Sequence, residues 1–371
     1  MIQLFKPDIS DGEVAAVEEV LRSGWIGLGP KTAEFEREFA EFVGAPYAVA
    51  LNSGTAALHL GLIVAGVAPG HEVVVPSLTF VSTVAAVLYV GATPVFADVD
   101  PDTLCIAPED IARKISPKTK AIIPVHFGGH PCEMDEISCL AREHSVKIIE
   151  DAAHACGATY KERRVGTLSD LTCFSFHAVK NLTTAEGGMI TCARPDWDRR
   201  LRNLRWMGIN KDTWERTTDH DTYAWQYSID QLGYKYHMND VAAAIGLVQL
   251  SRLQDLNRRR REIVALYNEG LADMSWAQLP VEREYVRSAW HIYAIRVTER
   301  DRLLAHLKAD GVAPGVHYHP IHLHKYYRRW ATSLPVTEQA WQRLLSLPMH
   351  PKLTDGEVSK VIDVIRSFAA R

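Results

Sequence analysis

The residue order predicts an α/β protein built on a mostly parallel sheet covered on both faces, followed by a smaller α+β part. Two observations lead there. Runs rich in β-branched residues, YAVALN (47–52), EVVVP (72–76), PVFADVD (94–100), KAIIPVHF (120–127), VKIIED (146–151), LTCFSF (171–176) and GMITC (188–192), recur with helix-like segments between several of them. They are nearly continuous in apolar character rather than alternating, the pattern of strands buried on both faces. Near residue 240 the texture changes: NDVAAAIGLVQLSRLQDLNRRRREIVALYNEGL reads as one long helix or a helix pair, and short strands such as HIYAIRV follow among further helices. This divides the chain into a large domain of residues 1–240, with an N-terminal arm, and a small C-terminal domain of residues 241–371.

The covering helices follow from spacing. YAVALN runs into SGTAALHLGLIVAG, whose apolar residues and alanines suit a helix, and EVVVP leads into SLTFVSTVAAVLYVG in the same way. The amphipathic segments PEDIARKI and EMDEISCLAREH separate later strands. With 371 residues and 47% hydrophobic content the chain can bury a full core. Its formal net charge is -4, from 41 basic and 45 acidic residues, so it carries no overall field suited to nucleic acid or an anionic membrane. The one basic cluster, Arg258 to Arg261, reads as a solvated helix face. Six cysteines without a CxxC pair argue against disulfide and zinc frameworks, so no metal is expected and a reducing compartment, the cytoplasm, fits. The N-terminus has no secretory pattern, and no apolar run reaches the roughly 18 residues of a membrane span.

In open α/β sheets ligands collect where strands end. Asn52-Ser53-Gly54-Thr55 lies between a strand and a helix, where free N–H groups, hydroxyls and the helix dipole could hold a phosphate; Ser and Thr there are also ordinary helix caps. Glu150-Asp151 ends another strand, as an acid for a protonated ring nitrogen or as a second cap. In FSFHAVKNLTTAEGGMI (174–190), Lys180 stands between two strand-like runs. A buried amine is unfavourable unless it is paired, neutralised or covalently used. A phosphate-holding turn, a strand-end acid and a strand-end lysine together are the parts that hold pyridoxal 5'-phosphate (PLP) as a Schiff base, with the acid on its pyridinium nitrogen.

The segments SGWIGLGPKTAEFEREFAEFVG, NSGTAALHLGL, PSLTFVSTVAAV, TPVFADVDPDTL, IIEDAAHACGA, FSFHAVKNLTTAEGGMI, GYKYHMNDVAAAIGLVQL and SLPMHPKLTDGEVSKVI resemble the DegT/DnrJ/EryC1/StrS family of PLP-dependent sugar aminotransferases along nearly the whole chain. The resemblance implies the aspartate-aminotransferase type I fold and a homodimer with shared active sites. It also implies transfer of an amino group from L-glutamate, leaving 2-oxoglutarate, to a keto group of a nucleotide-linked sugar. By the same resemblance Lys180 matches the Schiff-base lysine, Asp151 the acid at the pyridine nitrogen and His154 a position beside the cofactor ring and its 3'-hydroxyl. Phe80 matches the aromatic stacked on the ring, Ser53, Gly54, Thr55 and Ser175 the phosphate-binding set, and His322 a substrate-side histidine. Where many members read G-x-N-Y-R-M this chain has GYKYHM, which puts Lys235 and His237 in a loop that reaches the neighbouring subunit's phosphate.

Lys180 also separates this chain from family dehydratases that carry histidine at that position. Several segments, among them TKAIIPVHFGG and GYKY, look most like the members that aminate C4 of UDP-4-keto-arabinose or related hexoses. A 3-keto sugar, a keto sugar without a nucleotide, or a non-catalytic PLP-binding regulator are the alternatives.

Overall fold

The computed structural model describes residues 1–211, 214 and 225–368. Seven strands form the central sheet: β1 (Tyr47–Leu51), β2 (Glu72–Pro76), β3 (Thr93–Ala97), β4 (Thr119–Ile122), β5 (Lys147–Asp151), β8 (Leu171–Ser175) and β9 (Gly188–Cys192). Their spatial order is β1-β9-β8-β5-β4-β2-β3. The pairs β3-β2, β2-β4, β4-β5 and β5-β8 are parallel, and β9 runs against both β8 and β1. All seven expected runs are thus strands of one sheet, mostly parallel, with β9 the reversed member.

The helices in this part are α1 (Asp11–Ser23), α2 (Pro30–Val43), α3 (Gly54–Val64), α4 (Val81–Tyr89), α5 (Pro108–Lys114), α6 (Met134–Glu143) and α7 (Pro195–Arg205). They cover both faces, and two apolar clusters form on the sheet, one around Phe35, Phe39 and Phe174, the other around Leu58, Leu60 and Ile149. Local chemistry starts and stops them. Ser10 and Glu13 form a reciprocal capping box on α1, and Gly24 closes that helix in the left-handed region. Buried Glu36 on α2 ties three elements together: it accepts from Ala50 N–H of β1 at 2.8 Å and pairs with Arg202 and Arg205 of α7.

The long helix resolves as a single element, α8 (Asp240–Leu271), capped by Asn239. Its first half packs on α1 and α2, and its second half joins a third cluster with β12 (Tyr293–Val297), α9 (Arg300–Ala309), β13 (Leu344–Leu347) and α11 (Asp355–Arg366). This corrects the reading of the arginine run. Arg258 is exposed, but Arg260 is buried and donates to the Met349 carbonyl, Arg259 donates to the Leu353 carbonyl and Asp355, and Arg261 donates to the Ser288 carbonyl. Three of the four guanidinium groups satisfy carbonyls of chain that packs over the helix. Smaller pieces complete the fold: β10 (Ala277–Gln278) pairs with β12; β6 (Thr159–Tyr160), β7 (Arg163–Arg164) and β11 (Val286–Arg287) form a small sheet; α10 (Pro335–Arg343) precedes β13. Among the described residues no helix is long and apolar enough to cross a membrane, and no group of three or more metal-ligating side chains occurs.

Candidate active site

The ends of β1, β5 and β8 open into a cavity of about 370 Å³. Ser53, Gly54, Thr55, Phe80, Asp151, His154, Ser175 and Lys180 all line it. Their convergence follows from strand direction: β5 and β8 are parallel neighbours, and β1, antiparallel to β9 as β8 is, points the same way, so the three carboxyl ends meet at one edge.

At the β1 end, Ser53 Oγ accepts from Ala56 N–H at 3.1 Å and caps α3, so this residue does serve as the helix cap. The next two residues begin the helix, where N–H groups have no partner within the helix. Thr55 Oγ1 lies 2.7 Å from Ser82 Oγ. The turn is closely packed: a Cβ on Gly54 would sit 2.9 Å from Ser175 Cβ, and one on Gly188 would sit 2.4 Å from the Ser53 carbonyl. Only side-chain-free residues allow β9 and β8 to approach the turn this closely.

Asp151, the last residue of β5, is buried. Its Oδ2 accepts from Thr83 Oγ1 at 2.8 Å and its Oδ1 from Ala153 N–H at 3.1 Å. No helix starts after it, so the second capping alternative does not apply. Burial raises its pKa, while the Thr83 and Ala153 bonds and the Lys180 amine oppose the rise. Lys180 follows β8, and its backbone N–H donates to the His177 carbonyl at 2.9 Å. Burial lowers its amine to about 8, with Asp151 pulling the other way. An amine at that value holds a sizeable unprotonated fraction near neutral pH, the form able to attack a carbonyl.

His154 is buried, its Nε2 3.0 Å from the Tyr318 hydroxyl. Burial first, then Lys180, holds its imidazole well below the usual value, so it is neutral. Phe80 is 55% exposed at the cavity, outside the core.

The remaining three candidates lie elsewhere. His322 is buried behind the end of β2, with Nδ1 2.6 Å from Ser77 Oγ and Nε2 3.4 Å from Glu338, and does not reach the cavity wall. Lys235 and His237 pack on their own subunit's Trp206: the Lys235 Nζ lies 3.4 Å from the ring centroid, and the His237 ring meets it edge-on at 4.4 Å. Burial, then Lys235 and Arg205, lowers His237 to about 4. Their segment runs beside β1, where Asn52 N–H donates to the Tyr236 carbonyl.

Sequence reasoning missed the opposite wall: Phe5, His291, His317 and Tyr318. Phe5 stacks on His291 at 5.2 Å, which in turn packs on His154 at 4.6 Å. Gly129 allows this assembly. Its φ is +103°, and a Cβ there would meet the Trp290 N at 2.7 Å and the His154 carbonyl at 2.9 Å. No local pattern marks Phe5 or His291; His317 and Tyr318 sit in HYHPIHLHKYY, five and four residues before the histidine chosen from it.

These groups fit PLP: a cradle at a helix start for a phosphate, a carboxyl group opposite a lysine amine of lowered pKa, and a neutral imidazole beside both. The comparisons agree. A model of the DegT/DnrJ/EryC1/StrS aminotransferase family matches residues 7–366. The spore coat polysaccharide biosynthesis protein SpsC of Bacillus subtilis is 42% identical over 98% of this chain and 95% of its own. The protein Spr1654 of Streptococcus pneumoniae, solved in a PMP form and a PLP form, superposes in the former with a TM-score of 0.93 at 36% identity, covering 99% of this chain and 98% of its own. The sugar aminotransferase CalS13 of Micromonospora echinospora gives 0.92 at 32% identity, covering 99% and 100%.

Proposed function

This chain belongs to the DegT/DnrJ/EryC1/StrS aminotransferase family, PLP-dependent enzymes that act on sugars, and from that premise we propose that it transfers an amino group from L-glutamate to the C4 keto group of a nucleotide-linked sugar. The observation that carries the reading is the Lys180 amine, lowered to about 8, facing the Asp151 carboxyl group in one cavity. PLP, when bound, supplies an electron sink that makes the hydrogen on the amino-bearing carbon acidic. Lys180 Nζ takes up and returns that proton. Asp151 holds a negative charge against the cationic ring nitrogen, and the Thr83 and Ala153 bonds fix its two oxygens. Gly54 and Thr55, with Ser53 and Ser175, hold the phosphate at the start of α3. Phe80 and His154, both on the cavity wall, would hold the cofactor ring between them. A role in polysaccharide precursor synthesis is in keeping with the name of SpsC.

The proposal includes a homodimer in which Lys235 or His237 serves the partner's phosphate, in keeping with the absence of both from this subunit's own cavity wall. The large domain of residues 1–240 gives way to the small one of residues 241–371 at the start of α8. The reducing cytoplasm suits six cysteines that are all unpaired. The test is a screen of 4-keto and 3-keto sugars on UDP, dTDP and GDP carriers, and of carrier-free keto sugars, with glutamate as donor and mass spectrometry of the products. Amination of a carrier-linked 4-keto sugar is the expected result. Exclusive turnover of 3-keto or carrier-free sugars would replace the substrate assignment, and PLP binding without turnover of any donor would favour a regulator.

A further inference from the structure

Tyr318 enters the cavity from the chain that follows α9, and its ring lies nearly parallel to that of His154, 14° apart. The hydroxyl is 3.0 Å from His154 Nε2, whereas His154 Nδ1 is buried and has no hydrogen-bond partner in the protein. We propose that Tyr318 is a positioning residue that fixes the tautomer of His154: its hydroxyl donates to Nε2, the single ring proton sits on Nδ1, and Nδ1–H is the donor presented to the cofactor. The inference rests on the PLP reading of the cavity and adds a residue that neither the family match nor the sequence singled out.

Three facts set the direction of that bond. The imidazole is neutral, because burial and then the Lys180 and His317 charges oppose its protonation, so it carries one proton and must place it on one nitrogen. The Tyr318 phenol is pushed up by burial and then by Asp151, so it keeps its proton and needs an acceptor, which Nε2 supplies. In the reverse arrangement, with Nε2–H donating to the phenol oxygen, the phenol proton would lack this acceptor while the Nδ1 lone pair also stayed unused. The ring is held where it stands. His291 packs on it at 4.6 Å and is itself stacked on Phe5 at 5.2 Å and 7°, while the neighbouring His317 is tied by Nδ1 to Ser346 Oγ at 2.9 Å.

The choice of tautomer has a chemical meaning. A donor at Nδ1 matches an acceptor oxygen, such as the 3'-oxygen of PLP in its ionised form, and stabilises that form. A lone pair at Nδ1 would instead call for a protonated hydroxyl. Tyr318 thus sets, through His154, which ionisation state the cavity prefers.

The experiment reads the tautomer directly, by long-range NMR correlation of isotope-labelled histidine ring nitrogens in the full-length chain, with and without PLP. His154→Asn identifies the His154 signals by their loss. The wild-type chain is expected to show protonated Nδ1 and bare Nε2 near neutral pH. Tyr318→Phe is expected to shift His154 toward protonated Nε2 and to weaken PLP binding roughly threefold to tenfold, the effect of one hydrogen bond, in a chain that still folds and melts cooperatively. Protonated Nε2 in the wild-type chain, or an unchanged tautomer in Tyr318→Phe, overturns the proposal. Failure of the wild-type chain to bind PLP would overturn the cofactor reading separately, because the tautomer is read without PLP.

Discussion

The two walls of the cavity are built in different ways. On the sheet side Asp151 and Ser175 end β5 and β8, strands whose neighbours fix their height and direction, and Gly54 and Lys180 stand in the short segments that leave β1 and β8. On the other side Phe5, His291 and the adjacent pair His317 and Tyr318 come from three places in the first and last parts of the chain. They are held by scattered contacts of loop chain: Ile2 N–H donates to the Gly311 carbonyl and Met349 N–H to the Leu4 carbonyl at the N-terminal arm, and Ala289 and Ile292 N–H donate to the Gly129 and Gly128 carbonyls. The difference assigns work. In the proposed mechanism, groups that hold atoms for bond making belong to the ladder and the turns that leave it, and groups that tune or enclose them belong to the looser wall.

Substitutions on the two walls should therefore differ in size and in kind. Lys180→Ala should lower the rate of glutamate-dependent amino transfer by about 10²- to 10⁴-fold, read in single-turnover absorbance measurements of the PLP-loaded protein. A variant within tenfold of wild type would move proton handling off the ladder. Asp151→Asn, close in shape but uncharged, should lower the same rate roughly 100-fold while the melting curve persists. A loss confined to PLP affinity would make Asp151 a binding group only. Phe5→Ala, on the looser wall, should raise KM for the sugar roughly twofold to tenfold through lost stacking, with kcat little changed. A fall in kcat equal to that of Asp151→Asn would erase the contrast between the walls.

The smallest effect concerns stability. The unfolded Lys180 amine titrates at 10.5 and the folded one at about 8, so between these values the unfolded chain binds more protons and stability rises with pH. Below 8 the full penalty of the buried amine stands. Lys180→Met should stabilise the cofactor-free chain by about 1 kcal/mol at neutral pH, a value reduced because the amine borders an open cavity. The gain should fade as pH climbs toward 10.5, which chemical denaturation at several pH values would follow. A gain constant with pH would mean that packing, not charge, causes it.

The same contrast explains what the sequence revealed. Strand runs such as EVVVP carry their burial in their composition, and a lysine or acid at the end of such a run is conspicuous because few charges belong there. Phe5 carries no such mark: an aromatic near the chain start becomes a cavity wall because Ile2 pairs with Val312 and the Leu4 carbonyl accepts from Met349 N–H. The arginine run misled because periodicity reports which face of a helix is polar, not whether other chain later covers that face; α8 lies between two packed regions and its arginines meet carbonyls. His322 stood out as one of four histidines in HYHPIHLHKYY, yet local order cannot tell which of them points to the cavity and which to Ser77.

The reversed strand β9 has a consequence for how the chain is made. β1 finds its sheet partner in β9, with Tyr47 opposite Cys192 and Leu51 opposite Gly188. During synthesis on the ribosome, β1 emerges long before that partner, and its unpaired edge must wait until residue 192 has left the exit tunnel. Glu36 waits longer still, since Arg202 and Arg205 follow on α7. Nascent chains stalled before residue 188 should consequently expose the β1 edge to chaperones, and release past α7 should close it.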